Sequence, residues 1–440
     1  LSINANTVSA AAGCLLDLLE HIQRRAVDPD VEFTSRSDVI ACEDNISLAS
    51  FFHPFRLYRV GLRDSHQTHG AGPERAAMRE ACTVLTSSHH FWQQAAGSRM
   101  YHPVLTPLDE AIPERINTFR AHGAFLALHI FLLQQAPLPI SIWLILALIN
   151  GRDGMEIPAN FLLHLDPDAY DLMYMWYDFH RDTPVPQAMD ANHPLRKWIL
   201  KHMPGMQPNL IRNGRSPAEH KAWIVSAFAV ILLGHPSPWN HPEFLALQDG
   251  FNITIGRMRL AQTIRNLGAL PFLVALYDRR VKTISDVGDH LRFDTVTRAR
   301  ADFTMPYFVK LFELRLHHYL EGHGHPPQLR DVEVTEDDFI ADCDDPILRA
   351  NLVLRSGSDS DLLPINDQWK ISFKFQGRNV GDSNVGTPLG FHTCFLSIDV
   401  ILDRHLKEIL LERPSTDVRC ASKFDAWVHS QFLNREHNTS

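Results

Sequence analysis

Residues 124–149 form the longest apolar stretch of the chain, and Gln134, Gln135, Pro137 and Pro139 interrupt it. Each piece is too short for the roughly 30 Å of hydrocarbon that a spanning helix crosses. The pattern therefore predicts two buried core helices joined by a proline-bounded turn. Helical periodicity also marks 74–87, 114–134, 140–149 and 218–233. Near the start, 10–25 reads as a short amphipathic helix. Asp17 and Glu20 sit inside its leucine run, where a secretory segment would be uncharged. A polar stretch at 28–38 follows as a linker, and 55–60 alternates like a strand.

The last quarter changes character. Residues 369–375 (WKISFKF) alternate as a half-buried strand, 377–386 form a polar loop, 391–400 (FHTCFLSIDV) read as a second strand, and 401–411 as a helix. The run 331–345 is acidic, with neither Lys nor Arg, and reads as a solvated connector. The expected class is α+β: a large, mostly helical lobe followed by a small α/β lobe. The boundaries expected are 1–49 for an N-terminal helix and linker, 50–300 for the helical lobe, and 301–440 for a connector and the last lobe.

Composition narrows the function. A net charge of −9 over 440 residues disfavours nucleic acid, whose phosphates call for a basic face. Six scattered cysteines without a C-x-x-C pair fit neither a disulfide scaffold nor a thiolate zinc site. The chain reads as a protein of a reducing intracellular compartment, cytoplasmic or nuclear, with no membrane partner. It begins at Leu1 and is read as a piece of a longer protein. No P-loop, G-x-S-x-G elbow or H-E-x-x-H helix occurs, so no cofactor and no metal are expected. His317, His318, His323 and His325 read as a helix end at the dipole's negative pole, followed by a Gly-Pro turn.

The most informative residues are 388–395, PLGFHTCF. Pro388 and Gly390 bring the chain in from a loop, which leaves the thiol of Cys394 near a surface. In an extended backbone His392 and Cys394 project to one side, where an imidazolium favours thiolate. This stretch resembles the active-site loop of HECT-type ubiquitin ligases, whose pattern is close to L-P-x-x-H-T-C-F. Upstream, Ser356-Gly357-Ser358, Leu363-Pro364 and the strand 369–375 follow the order of that family's C-lobe. In the helical lobe, 119–128 (FRAHGAFLAL) is similar to the family's F-R-x-x-G-x-x-L-G-x-A helix, and Leu138-Pro139 to its L-P turn. Residues 164–170 (HLDPDAY) are similar to its L-D-P-E-L-Y segment, Asp249-Gly250-Phe251 to its G-F turn, and Asp64 with 70–75 (GAGPER) to its D-x-G-G-P-x-R-E element. The chain departs from the family after Phe395. The family continues N-x-L-x-L-P-x-Y, whereas Leu396-Ser397-Ile398-Asp399-Val400 stand here.

The resemblance implies a bilobal HECT-like fold and a ubiquitin transferase. Cys394 would take ubiquitin from an E2 ubiquitin-conjugating enzyme as a thioester and pass it to a lysine of a protein substrate. His392 would raise the thiolate fraction or shape the loop, and Thr393 would order it through its hydroxyl. The E2 would dock on the helical lobe within 155–245, where Tyr174, Met175, Trp176, Tyr177 and Phe179 read first as core. Two alternatives stay open: a HECT-derived scaffold that binds ubiquitin, an E2 or a partner without transfer, and an unrelated helical binding protein with Cys394 buried.

Overall fold

The computed structural model describes residues 2–5, 7–26, 40–41, 47–52, 56–59, 66–69, 71–95, 98, 100–107, 112–184, 192–203, 211–295, 304–364, 366–377, 387–413 and 420–434. The polar linker expected at 28–38, most of the polar loop at 377–386, Asp64 and Gly70 lie outside them. The protein is mostly helical α+β, with seventeen α-helices among the described residues and a small mixed four-stranded sheet near the C-terminal part. Two compact units are present. One comprises 1–69 and 73–278, the other 279–440 with 70–72.

The first unit is built around the helix Pro113–Leu133, whose residues 118–130 are buried except for Arg120. It starts at a proline in the first turn and ends where Gln134 turns left-handed (φ 53°). The helix Ile142–Asn150 follows, capped by Ser141 Oγ, which accepts from the Trp143 amide, and stopped at Gly151 (φ 61°). The interrupted apolar stretch is thus two buried helices and a turn, as its pattern predicts. By length and composition alone, Pro113–Leu133 is long and apolar enough to cross a membrane, and most of that window is buried within the unit.

The helix Pro242–Phe251 crosses Pro113–Leu133 at backbone contact. A Cβ on Gly123 would overlap the Leu247 carbonyl oxygen, and one on Gly250 would overlap that of Arg120. Beside the crossing, Arg120 Nε donates to Asp249 Oδ2 at 3.0 Å. A part-buried ion pair, with Glu243 as its buried member, fastens the same two helices. Glu243 accepts from Arg115 Nε at 2.5 Å and from the Thr106 amide at 3.0 Å. Burial raises the Glu243 carboxyl, but the Arg115 and Thr106 hydrogen bonds outweigh it and hold the group below the usual carboxylate range. The helix Val8–Arg25 packs on the central helix as well, and its Glu20 accepts from Thr118 Oγ1 at 2.8 Å. The acidic residue inside the leucine run is therefore a buried, satisfied group. Asp166, before Pro167, caps the helix Pro167–Tyr177 and also accepts from Trp143 Nε1 at 2.9 Å.

The second unit holds the mixed sheet, in the order Gly390–His392, Ser397–Leu402, Ile371–Gly377, Leu291–Thr295. Ile371–Gly377 lies between two parallel partners, and parallel neighbours need long crossovers. The helices Met305–Glu321 and Leu348–Ser358 lie in one of them. Ile371, Phe373, Phe375, Ile398 and Val400 point into the core, where Phe312 meets Phe375 and Phe424 at ring distances of 5.1 and 5.3 Å. The alternate residues Ser372, Lys374 and Asp399 occupy the other face, a period-2 pattern.

Two expectations are corrected here. Residues 391–400 are not one strand. Gly390–His392 and Ser397–Leu402 are separate strands, joined by the 3₁₀ turn Thr393–Phe395 and a left-handed Leu396 (φ 48°). They pair antiparallel, Gly390 with Asp399, Phe391 with Ile398 and His392 with Ser397. The argument that His392 and Cys394 share a side in extended backbone falls with the strand. Likewise 401–402 complete the second strand, and the helix Arg404–Leu411 begins only after Asp403 caps it through the Leu406 amide.

The acidic run lies within the second unit. It includes the helix Glu336–Ala341, capped by Thr335, and its Glu333 accepts from Ser430 Oγ at 2.7 Å on the helix Lys423–Leu433 and from Asn434 Nδ2 at 2.8 Å just past that helix's end. Most of its residues are solvent-facing, with Val334 buried. Among the described residues no group of three or more His, Cys, Asp and Glu could hold a metal ion.

Candidate active site

The turn 393–395 is held at both ends. On entry, the Thr387 amide donates to Asp403 Oδ2 at 2.6 Å and the Leu389 amide to Gln431 Oε1 at 3.0 Å. Phe391 then drops into the core 6.3 Å from the Phe432 ring. On exit, the Leu396 carbonyl accepts from the Ser372 amide at 2.8 Å, which ties the turn to the central strand. Buried Ser397 accepts from Lys374 Nζ at 3.3 Å. Leu348–Ser358 runs beside the turn and carries Ser356, Gly357 and Ser358, all buried, in its last residues. A Cβ on Gly357 would press on the Ile371 side chain at 2.7 Å, so that helix end seats directly on the sheet.

The tip of this fixed turn faces water. Phe395 is 79% exposed, the most exposed large hydrophobic side chain among the described residues, although an aromatic in a strand would ordinarily be buried. His392 is 45% exposed at its side chain, and its Nε2 lies 3.2 Å from Asp399 Oδ2. Thr393 is half-buried. The backbone of Cys394 is in the middle of the turn, and its side chain lies outside the described residues. His392 thus ends the edge strand, and Thr393 and the backbone of Cys394 lie in the turn that follows it.

Asp399 was not expected there. It follows Cys394 by five residues and becomes a neighbour of His392 only because the chain reverses at 393–396. An exposed turn with an imidazole–carboxylate pair at its base can hold, accept and return a proton.

Of the aromatic residues at 174–179, Trp176 and Phe179 are core and Tyr177 donates its hydroxyl to the Ile157 carbonyl at 2.8 Å, while Tyr174 is exposed. His325 is buried and lies 2.8 Å from His429. Phe432 is likewise a core residue, packed against Tyr319 and Phe391.

Comparison with protein-family models and with curated proteins finds no match for this chain.

Proposed function

We propose that this chain is a divergent HECT-like ubiquitin transferase with Cys394 as its nucleophile, the first unit serving as the N-lobe and the second as the C-lobe. The observation that carries the reading is the rigidly anchored, solvent-facing turn at 393–395, formed by the residues that resemble the family's cysteine loop. A nucleophile that must meet a protein-borne thioester needs to protrude, and it needs a fixed backbone so that little ordering is left to the encounter.

In the first step the Cys394 thiolate attacks the carbonyl carbon of the E2–ubiquitin thioester, and the E2 thiolate leaves. Exchange between a thiol and a thioester conserves bond type, so positioning and thiolate fraction set its rate. In the second step a substrate lysine amine attacks the new thioester, forming an isopeptide and releasing Cys394. Dividing the transfer in two is ordinary covalent catalysis. The partners are an E2, ubiquitin and a protein substrate, met in a reducing intracellular compartment.

The test is incubation with charged E2–ubiquitin and a non-reducing gel, comparing the native chain with Cys394→Ala. A thiol-sensitive adduct that vanishes in the variant is expected. A folded native chain that forms none across a broad E2 panel would move the reading to the non-transferring scaffold.

A further inference from the structure

We propose that the outer face of the helix Met305–Glu321 is a self-association surface, on which a second copy of this chain packs antiparallel. The inference is independent of the transferase reading above.

The inner face of this helix is fully committed to the core of the second unit, through buried Val309, Phe312, Leu316, Tyr319 and Leu320. Residues at i, i+4 and i+7 share one stripe of a helix. Tyr307, Leu311 and Leu314 stand at that spacing on the outer side. Tyr307 is 59% exposed and Leu314 56%, with Leu311 half-buried between them. A further exposed leucine, Leu411 (56%), ends the neighbouring helix Arg404–Leu411. Arg315 fastens that helix end to this one, donating to the Leu410 carbonyl from Nε at 3.3 Å and from Nη2 at 3.1 Å. Single exposed apolar side chains are ordinary on a protein surface, whereas a stripe of them over two helical turns marks a contact face.

The charges beside the stripe indicate what covers it. Lys310 and Glu313 flank it on one side, and within the helix Lys310 Nζ lies 2.9 Å from Glu313 Oε1. A two-fold axis through Leu311 sets Tyr307 of each copy against Leu314 of the other, and Leu311 against itself. The same axis sets Lys310 of each copy against Glu313 of the other, so opposite charges meet twice. In a parallel pair Lys310 would meet Lys310 and Glu313 would meet Glu313. The face is therefore complementary in charge to itself when the two copies run antiparallel.

Two turns of helix and one neighbouring leucine make a small interface, of the transient class below about 1,200 Å². A monomer–dimer equilibrium is therefore expected rather than an obligate dimer. Sedimentation velocity of the full chain across a concentration series, at low salt, measures it. Lys310 and Leu314 are exposed, Glu313 is half-buried, and substitutions at such positions leave folding nearly untouched. Lys310→Glu and Glu313→Lys, each alone, bring like charges together across the axis. Leu314→Asp puts a carboxylate at the middle of the apolar stripe.

Wild type should dimerise with rising concentration, each charge variant should associate about 10-fold more weakly, and Leu314→Asp should remain a monomer. An equimolar mixture of Lys310→Glu and Glu313→Lys restores opposite charges at both contacts and should associate at least as well as wild type. That recovery also shows that both variants are folded. A wild-type chain that stays monomeric throughout overturns the proposal. So does association that the single substitutions leave unchanged, because another face then carries it. Weakening by both single variants with no recovery in their mixture overturns the antiparallel pairing itself.

Discussion

His325 Nδ1 and His429 Nε2 lie 2.8 Å apart inside the second unit, and His429 Nδ1 lies 2.8 Å from Tyr319 Oη. His325 Nε2 faces Asp342 Oδ2 at 3.5 Å. With all three side chains neutral, the acceptor-only carboxylate sets the direction of the whole chain. His325 points its hydrogen to Asp342, His429 donates to His325, and Tyr319 donates to His429. Arg349 closes the network, donating to the carbonyls of Tyr319, His323 and Gly324 while its guanidinium stacks 5.1 Å from the Tyr319 ring. The helices Met305–Glu321 and Lys423–Leu433 are joined through these bonds. Lys423–Leu433 also supplies Gln431, which anchors the entry to the 393–395 turn.

Acid should undo this join. Burial, then the nearby His325 and Arg349, push His429 down to about 2, against 6.5 ordinarily. A depressed histidine contributes stability that is fully present above about pH 6.5 and is lost as pH falls toward 2, because the unfolded chain takes the proton first. The loss approaches about 1.4 kcal/mol per pH unit for one such histidine. Burial brings His129 in the first unit down to about 3, which adds a loss of the same sign. Urea midpoints at pH 8, 7, 6 and 5 should therefore fall steadily below pH 6.5. His429→Phe should start lower at pH 8, having stranded Tyr319 and His325, but show a flatter pH dependence of the second unit. An unchanged slope would mean that His429 does not stay neutral in the fold.

Glycine substitutions should separate close approach from helix propensity. Gly123→Ala and Gly250→Ala each place a methyl group against a backbone carbonyl of the opposite helix, which can yield only if the helices move apart. Each should cost upward of about 2 kcal/mol, in the range of overpacked cores. Gly13 is also helical, in Val8–Arg25, but a Cβ there meets nothing within 4 Å. Gly13→Ala should stabilise by about 0.5–1 kcal/mol, the usual helical gain. Thermal melts of the three variants check the pattern, and equal effects would remove close approach as the reason for Gly123 and Gly250.

The helical part of the fold was legible because its signals are local. The proline and glutamine interruption at 134–139 separates two helices, and the alternation of 369–375 marks the central strand Ile371–Gly377. Two pieces read separately, Phe119-Arg120 through Gly123 and Asp249-Gly250-Phe251, turn out to be the two sides of one helix crossing. The site was legible only in part. Phe391, Phe395, Ile398 and Val400 are apolar through the reversal, and no Gly, Pro or Asn stands at 393–396 to mark it. Strand periodicity therefore ran through a turn, and the partnership of His392 with Asp399 was hidden by it. The His325–His429 contact spans 104 positions and leaves no local trace.

Leu396 is where that turn went unseen, and it makes the last prediction. Its φ of 48° and ψ of 46° are left-handed, a conformation that costs an L-residue about 1–2 kcal/mol and glycine almost nothing. The chain holds Leu396 there because its carbonyl accepts from the Ser372 amide and its half-buried side chain packs on the core of the second unit. Leu396→Ala loses the packing and keeps the strain, whereas Leu396→Gly loses the same packing and relieves it. The glycine variant should therefore be the more stable of the two by about 1 kcal/mol, reversing the order expected in an ordinary strand, where glycine is the weaker residue. Paired urea denaturation measures the difference directly. If alanine proves the more stable, residue 396 is extended in solution, 391–400 is the continuous strand that its alternation suggests, and the exposed turn that carries Cys394 does not form.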